Sequence, residues 1–169
     1  EAGRMEVSSQ NVNIKSLLDR AVDTVAPLIE KNNNELKIIT NDANSAFLVD
    51  EKKLFQILLN LLSNAAKFTH EGTITLSAAI KNQNLLIEVS DTGIGIDQEQ
   101  QEIIFEPFRQ IDGSETRQFL GTGLGLSITM HFTQLLGGEM KLSSEVGKGS
   151  CFSVSIPKKT DLSDSTDNH

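Results

Sequence analysis

The chain has 169 residues, 38% hydrophobic and 22% charged, which suits one ordinary domain with a real core, or one domain with short tails, and argues against a disordered chain. A formal net charge of −8 argues against nucleic acid as a partner, because gripping its phosphates takes a basic stripe. Any phosphate ligand must then be held locally, by backbone N–H groups, a few cations or a metal. Cys151 is the single cysteine, so an intramolecular disulfide is excluded and a cytosolic, cytoplasmic compartment fits best. No apolar run reaches the roughly 18 residues that a membrane span takes, so no membrane contact is expected of this stretch. Glu1-Ala-Gly-Arg-Met carries neither a signal-peptide core nor a separate starting Met, which suggests a piece of a longer protein.

Residues 1–10 are polar and carry little pattern. Val12 and Ile14 suggest a short strand, followed by a helix from about Ser16 to Lys31 with Leu17, Leu18, Ala21, Val25 and Leu28 on one side. Asn32-Asn33-Asn34 stops it. Residues 35–40 and 46–49 read as two short strands around a turn at Asn41-Asp42-Ala43-Asn44. Asp50 is placed to N-cap a long helix over 51–67. After a turn at His70-Glu71-Gly72, Ile74, Leu76, Ala78 and Ile80 alternate with polar neighbours, and Leu85, Ile87 and Val89 do so again beyond Asn82-Gln83-Asn84. These two runs predict a hairpin. Asp97-x-x-Gln100 has the spacing of a capping box opening a short helix to about Ile104. Residues 109–121 read as a long loop, and a helix follows from Thr122 or Leu124 to about Leu136, ended by Gly137-Gly138. Strands at 139–144 and 150–156 turn at Gly147-Lys148-Gly149, and 158–169 looks like a solvated linker. Helices interleaved with hairpin-connected strands predict an α/β two-layer sandwich over a mixed sheet.

Four constellations bear chemistry. On helix 51–67, Gln56, Asn60, Asn64 and Lys67 share one face, opposite Leu54, Leu58, Leu61 and Leu62. Amide oxygens suit a hard ion such as Mg²⁺ and an ammonium suits phosphate, although a solvated face would read the same way. Asp91-Thr92-Gly93-Ile94-Gly95-Ile96 follows a strand, with Asp91 in phase with the core-facing Leu85, Ile87 and Val89. A carboxylate there needs a donor, and an adenine amino group is one, whereas guanine presents an acceptor oxygen. The alternative is a turn aspartate capping its own backbone. The adjoining glycines let a flat ligand approach the backbone closely. Gly121-Thr122-Gly123-Leu124-Gly125-Leu126-Ser127 leads into a helix, where backbone N–H groups form a natural phosphate site. Its spacing is neither that of a Rossmann dinucleotide unit nor that of a P-loop. Last, Phe105-Glu106-Pro107-Phe108 precedes a loop with Arg109, Gln110, Arg117 and Gln118, either a core aromatic pair before a disordered loop or a lid.

The order of these segments is more specific than any one of them. Asn60…Asn64-Ala65-Ala66-Lys67-Phe68-Thr69, then Asp91-x-Gly93-x-Gly95, then Phe105-x-x-Phe108, then Gly121-x-Gly123-x-Gly125, resembles the N, G1, F and G2 boxes of sensor histidine kinases, hybrid-type above all. Gly147-Lys148-Gly149-Ser150-Cys151-Phe152 is similar to the closing segment. The resemblance covers about residues 11–157. It implies a Bergerat-type sandwich, a mixed and mostly antiparallel sheet packed on three helices, shared with gyrase and mismatch-repair ATPases.

The resemblance also implies roles. Asn64 would ligate Mg²⁺, with Asn60 beside the metal and the phosphates of ATP, and Lys67 would reach a phosphate. Asp91 would accept from the adenine N6 amino group, with Gly93, Gly95 and Ile96 lining the base. Phe108, Arg109, Gln110 and Arg117 belong to the lid, and Gly121, Thr122, Gly123, Leu124, Gly125 and Leu126 would hold the phosphate end. The catalytic roles fall to Asn60, Lys67 and Arg117. Hydrolytic relatives carry a glutamate four residues before the metal-binding asparagine; Asn60 stands there, and an amide cannot act as a general base. Phosphoryl transfer rests mainly on positioning and charge neutralisation, so a kinase needs no such carboxylate. The acceptor histidine of the family lies in a helical dimerisation domain, and His70, His131 and His169 lack its context. Residues 1–10 are similar to the end of that domain, 11–158 form the ATP-binding domain, and 159–169 would lead to a receiver domain or response regulator. Leu120 stands where relatives often have glycine, and Cys151 where they often have a threonine near the base. A stand-alone ATPase and a non-catalytic nucleotide-binding module are the competing classes.

Overall fold

The computed structural model describes residues 7–41, 46–104 and 125–158. Strand β1 (Gln10–Asn13) pairs antiparallel with β3 (Ala46–Val49) in a small ladder that sets Val12 opposite Phe47, both buried. Helix α1 (Ile14–Lys31) starts two residues earlier than its pattern predicts, because the Asn13 side chain accepts from Ser16 N at 3.0 Å and caps it. Ile14 is therefore in the first helical turn and not in the strand. The buried face is Ile14, Leu17, Leu18, Ala21, Val25 and Ile29; Leu28, expected there, is only partly buried, since the residue four after Val25 is Ile29.

Helix α2 (Glu51–Phe68) is capped as expected by Asp50, which accepts from Lys53 N at 3.1 Å. Leu54, Ile57, Leu58, Leu61, Leu62, Ala65 and Ala66 are buried along it. The main sheet has five strands in the order β2-β4-β5-β7-β6: β2 (Glu35–Asn41), β4 (Thr73–Lys81), β5 (Asn84–Asp91), β6 (Glu139–Glu145) and β7 (Gly149–Pro157). β2 runs parallel to β4 and every other pairing is antiparallel, so the sheet is mixed and mostly antiparallel. The β4–β5 hairpin turns through Asn82 and Gln83, with φ of 52° and 67°, a left-handed pair that amide side chains tolerate. Ile74, Leu76, Ala78, Leu85, Ile87, Val89, Phe152, Val154 and Ile156 form the buried face of the sheet. On its outer face Thr75 lies beside Ser90 and Cys151, and Ser77 beside Glu88 and Ser153.

Helix α3 (Gln98–Gln101) is shorter than the predicted helix to Ile104, though Asp97 does cap it, accepting from Gln100 N at 3.1 Å. Helix α4 (Gly125–Leu135) ends one residue before the predicted Leu136. Gly137, at φ 80°, closes it: Gly137 N donates to Gln134 O at 3.0 Å and Gly138 N to Thr133 O at 2.9 Å. Residues 42–44 of the predicted turn, the loop 109–121, the start at Thr122 or Leu124, and the two ends 1–6 and 159–169 lie outside the described residues. Among the described residues no helix is long and apolar enough to cross a membrane.

Candidate functional site

Helix α2 is amphipathic in an unusual way. Its leucines enter the core, while Gln56, Asn60, Asn64 and Lys67 follow one another along the opposite stripe, as their spacing predicts. Gln56 Nε2 donates to Asn60 Oδ1 at 2.9 Å, and Asn60 Nδ2 donates to Gly125 O and Thr129 Oγ1, each at 3.1 Å. Asn60 therefore ties the middle of α2 to the first turn of α4. Asn64, one turn on, is only 7% exposed, yet its amide has no hydrogen-bond partner among the described residues. Lys67 is half-buried and makes no ion pair among the described residues. A nearly buried amide left unpaired, followed by a free ammonium, is a donor set suited to a hard cation and an anion brought together.

The C-terminal end of α2 packs on the turn that follows β5. Ile94 N donates to Phe68 O at 3.2 Å. A Cβ on Gly93 would meet Phe68 O at 2.2 Å and Thr69 Oγ1 at 2.7 Å, so only glycine fits against the helix end. Gly95 adopts φ 77°, and a Cβ there would meet Glu145 O at 2.2 Å in the β6–β7 hairpin. The expectation was that these glycines open the backbone to a flat ligand; the space their side chains would take is filled by protein instead. Gly149 is equally constrained, at φ 119° with Asp91 O 1.9 Å from the place of its Cβ. The asparagine triplet, read as a helix stop, does more than stop a helix. Asn32 Nδ2 donates to Ala66 O and Asn34 Nδ2 to Thr69 O, each at 2.8 Å, so two carbonyls at the end of α2 are satisfied from α1.

Asp91 ends β5 with its side chain on the helix-facing side, 7% exposed, as the alternation predicts. Burial raises its pKa above the ordinary carboxylate value, opposed by the Gly93 and Ser150 backbone N–H groups and by the Thr69 hydroxyl. The Gly93 bond, N to Oδ1 at 2.9 Å, is the local cap anticipated as the alternative reading of this residue. It occupies one oxygen, and no cation pairs with the carboxylate among the described residues. Cys151, which stands where relatives often have a threonine, is on the outer face in register with Ser90 and Ser143; strand alternation turns Ser150 to the same side as Asp91. Ile96 and Leu126 are buried, at 6% and 4% exposure, and Ile96 N is held by Ser144 Oγ at 2.8 Å.

Residues 49–160 match the family described as "Histidine kinase-, DNA gyrase B-, and HSP90-like ATPase". The chain belongs to this family. Among its relatives is "Circadian input-output histidine kinase CikA" from Synechococcus elongatus, 38% identical over 163 residues that cover 95% of this chain and 22% of that protein. "Hybrid signal transduction histidine kinase B" from Dictyostelium discoideum is 38% identical over 164 residues, 93% of this chain and 8% of that protein. The solved structure of full-length ShkA in complex with AMPPNP superimposes with a TM-score of 0.82 at 32% identity, covering 93% of this chain and 32% of ShkA. The fold is thus the Bergerat sandwich of histidine kinase catalytic domains, and the chain spans about a quarter or less of the curated relatives it matches.

Within this histidine kinase-like fold, α2 carries Asn60, Asn64 and Lys67, and its end packs on the turn after Asp91 at Gly93. Gly95 and Ile96 lie against the β6–β7 hairpin, and Gly125, next to Leu126 in α4, is joined to α2 by Asn60. Phe108, Arg109, Gln110, Arg117, Leu120, Gly121, Thr122, Gly123 and Leu124 lie outside the described residues. Sequence reasoning missed Asn32, Asn34 and Thr69. Polar residues just past a helix's hydrophobic period were the available signal, and they were read only as a stop and as part of a motif.

Proposed function

We propose that this domain binds ATP with Mg²⁺ and transfers the γ-phosphoryl group to a histidine on a separate helical dimerisation domain, in two-component signalling. The observation that carries the reading is Asp91, a buried carboxylate with no cation partner among the described residues, set at a strand end against the helix that bears Asn64 and Lys67. Such an acid has room for one more donor, and the adenine 6-amino group is a donor. Gly93, Gly95 and Ile96 fix the wall beside it. Asn64, whose amide has no partner among the described residues, offers its oxygen to Mg²⁺, and Asn60 Oδ1 keeps a lone pair beyond its bond to Gln56. No cluster of three carboxylate, histidine or cysteine ligands is found among the described residues, so the ion would arrive with the phosphates and complete its shell from them and from water. Bound there, Mg²⁺ supplies charge neutralisation on the phosphates.

Lys67 then holds a phosphate, and Gly121, Thr122, Gly123, Leu124, Gly125 and Leu126 receive the phosphate end, with Gly125 fastened by Asn60. Phe108, Arg109, Gln110 and Arg117 form the lid, and Arg117 joins Asn60 and Lys67 in transfer. An amide at position 60, with both ends engaged by protein groups, is no base for water, which favours transfer over hydrolysis. The domain spans residues 11–158 of a longer cytoplasmic protein, with a dimerisation domain before it and a receiver domain or response regulator as its partner. Calorimetry with saturating Mg²⁺ tests the pocket, and labelled ATP with an added helical domain tests transfer. Absence of heat with ATP or ADP on folded protein overturns the reading; steady phosphate release without transfer replaces it with an ATPase.

A further inference from the structure

Asn60 is held by a buried corner of α4. Thr129 is fully buried, and its Oγ1 donates to Gly125 O, four residues earlier, at 2.8 Å. That bond uses the one hydroxyl proton and leaves the oxygen an acceptor toward α2. Asn60 Nδ2 lies 3.1 Å from Thr129 Oγ1 and 3.1 Å from Gly125 O, so two amide hydrogens meet two acceptors. An amide turned by 180° would set Oδ1 against two oxygens, neither with a proton left to give. Gln56, which donates to Oδ1 at 2.9 Å, is exposed and its own amide can turn to follow; the Gly125 carbonyl and the Thr129 hydroxyl, built into α4, cannot. Thr133 supplies an internal comparison. It too is fully buried and its Oγ1 donates to Thr129 O at 2.7 Å, but among the described residues that hydroxyl makes no hydrogen bond to α2.

We propose that Thr129 is a positioning residue that locks the Asn60 amide in one orientation, so that Asn60 presents its oxygen, and not its N–H groups, to Mg²⁺. The inference rests on the nucleotide reading above. A hard cation is bound through oxygen, and an amide held the other way round would meet it with hydrogens that carry partial positive charge. Thr129 does this through Asn60 and touches neither metal nor phosphate. The same hydroxyl fixes Gly125 O, so Asn60 and the first turn of α4 share one anchor. A valine would fill the buried face of α4 with the same shape and no hydroxyl to satisfy. The hydroxyl at position 129 has a partner across the helix interface, whereas the one at position 133 has only its own helix.

Calorimetry of ATP with saturating Mg²⁺ and with chelator, on wild type, Thr129→Val, Thr129→Ser and Thr133→Val, tests the lock. Thr129→Val should lose roughly 2- to 10-fold of the affinity that Mg²⁺ adds, the worth of one neutral hydrogen bond, and nothing of the metal-free affinity. Thr129→Ser keeps the hydroxyl and Thr133→Val keeps residue 129, so both should retain the full Mg²⁺ gain. A Thr129→Val gain equal to that of wild type overturns the proposal, as does an equal loss in Thr129→Ser or Thr133→Val, which marks a packing effect. NMR of ligand-free wild type adds a readout independent of nucleotide and of any variant's folding. The Asn60 side-chain N–H protons should exchange with water more slowly than those of the exposed Asn11, and equally fast exchange overturns the lock. No ATP binding by wild type sinks the nucleotide reading and this inference with it; normal binding with an unchanged Mg²⁺ gain in Thr129→Val sinks this inference alone.

Discussion

Asp91→Asn separates binding from stability, because the two effects have opposite signs. In the folded domain Asp91 is buried and its pKa is raised, with burial as the largest cause and the Gly93, Ser150 and Thr69 groups only partly offsetting it. A group whose folded pKa exceeds its unfolded one contributes stability below the unfolded pKa and loses it as pH rises through the folded pKa. At pH 7 the ionised Asp91 therefore weighs against the fold, and the amide removes that cost while its oxygen still accepts from Gly93 N. The melting temperature of Asp91→Asn at pH 7 should be equal to or above that of wild type, and the difference should shrink near pH 4. Nucleotide binding moves the other way. The amide nitrogen would face the adenine amino group, donor against donor, and a hydrogen bond to a charged acceptor, about 1.5–3 kcal/mol, is lost. That corresponds to a roughly 10- to 150-fold rise in Kd for ATP. Calorimetry and melting curves on the same preparations check both. Wild-type affinity for ATP refutes the base assignment, and a variant clearly less stable than wild type at pH 7 refutes the desolvation argument.

Asn64→Ala removes an amide with no partner among the described residues, so the melting temperature should stay near wild type while the Mg²⁺-dependent part of ATP affinity disappears on titration with and without chelator. Gly95→Ala places a methyl 2.2 Å from Glu145 O at a φ of 77°, and chemical denaturation should show a loss of about 1–3 kcal/mol or more. Asp50→Ala removes the α2 cap and should cost about 0.5–2 kcal/mol. For Asp50, burial pushes the pKa up, but the Ser8 and Lys53 backbone bonds and the Lys53 ammonium outweigh it and bring it below the ordinary value. Its stabilisation is then present above the unfolded pKa and lost as pH falls through the folded one, so wild type and Asp50→Ala should converge in acid denaturation below about pH 4.

Most of the sheet was legible because strand alternation has a period of two and one face is buried: Ile74, Leu76 and Ala78 could not change sides without emptying the core. The same rule correctly put Asp91 inward. Applied to β7 from Phe152, Val154 and Ile156 backward, it turns Cys151 outward and Ser150 inward, a point that motif position alone left open. The start of α1 was missed for a different reason. Asn13 as a cap competes with Val12 and Ile14 as a strand, and the hydrogen bond to Ser16 N settles that competition locally, which a pattern of apolar residues does not register. The tertiary bonds of Asn32 and Asn34 to α2 have a sequence separation of about 35 residues, and nothing in one chain's pattern encodes such a pairing.

Helix α2 explains why so much of the candidate site is legible at all. Its leucine face is fixed by the core, so the stripe carrying Gln56, Asn60, Asn64 and Lys67 is fixed by subtraction. The rigid part of the site is then inherited from packing: the helix end is bolted to α1 by Asn32 and Asn34, to the β5 turn by Ile94 N, and to α4 by Asn60. Among the described residues, packing leaves the Asn64 amide without a hydrogen-bond partner and the Lys67 ammonium without an ion pair, within one turn of the helix. A nearly buried amide with no partner among the described residues is costly in a domain of marginal stability unless a ligand satisfies it. On the proposed reading, Asn64 serves the metal and Lys67 a phosphate, neighbours along one helix axis.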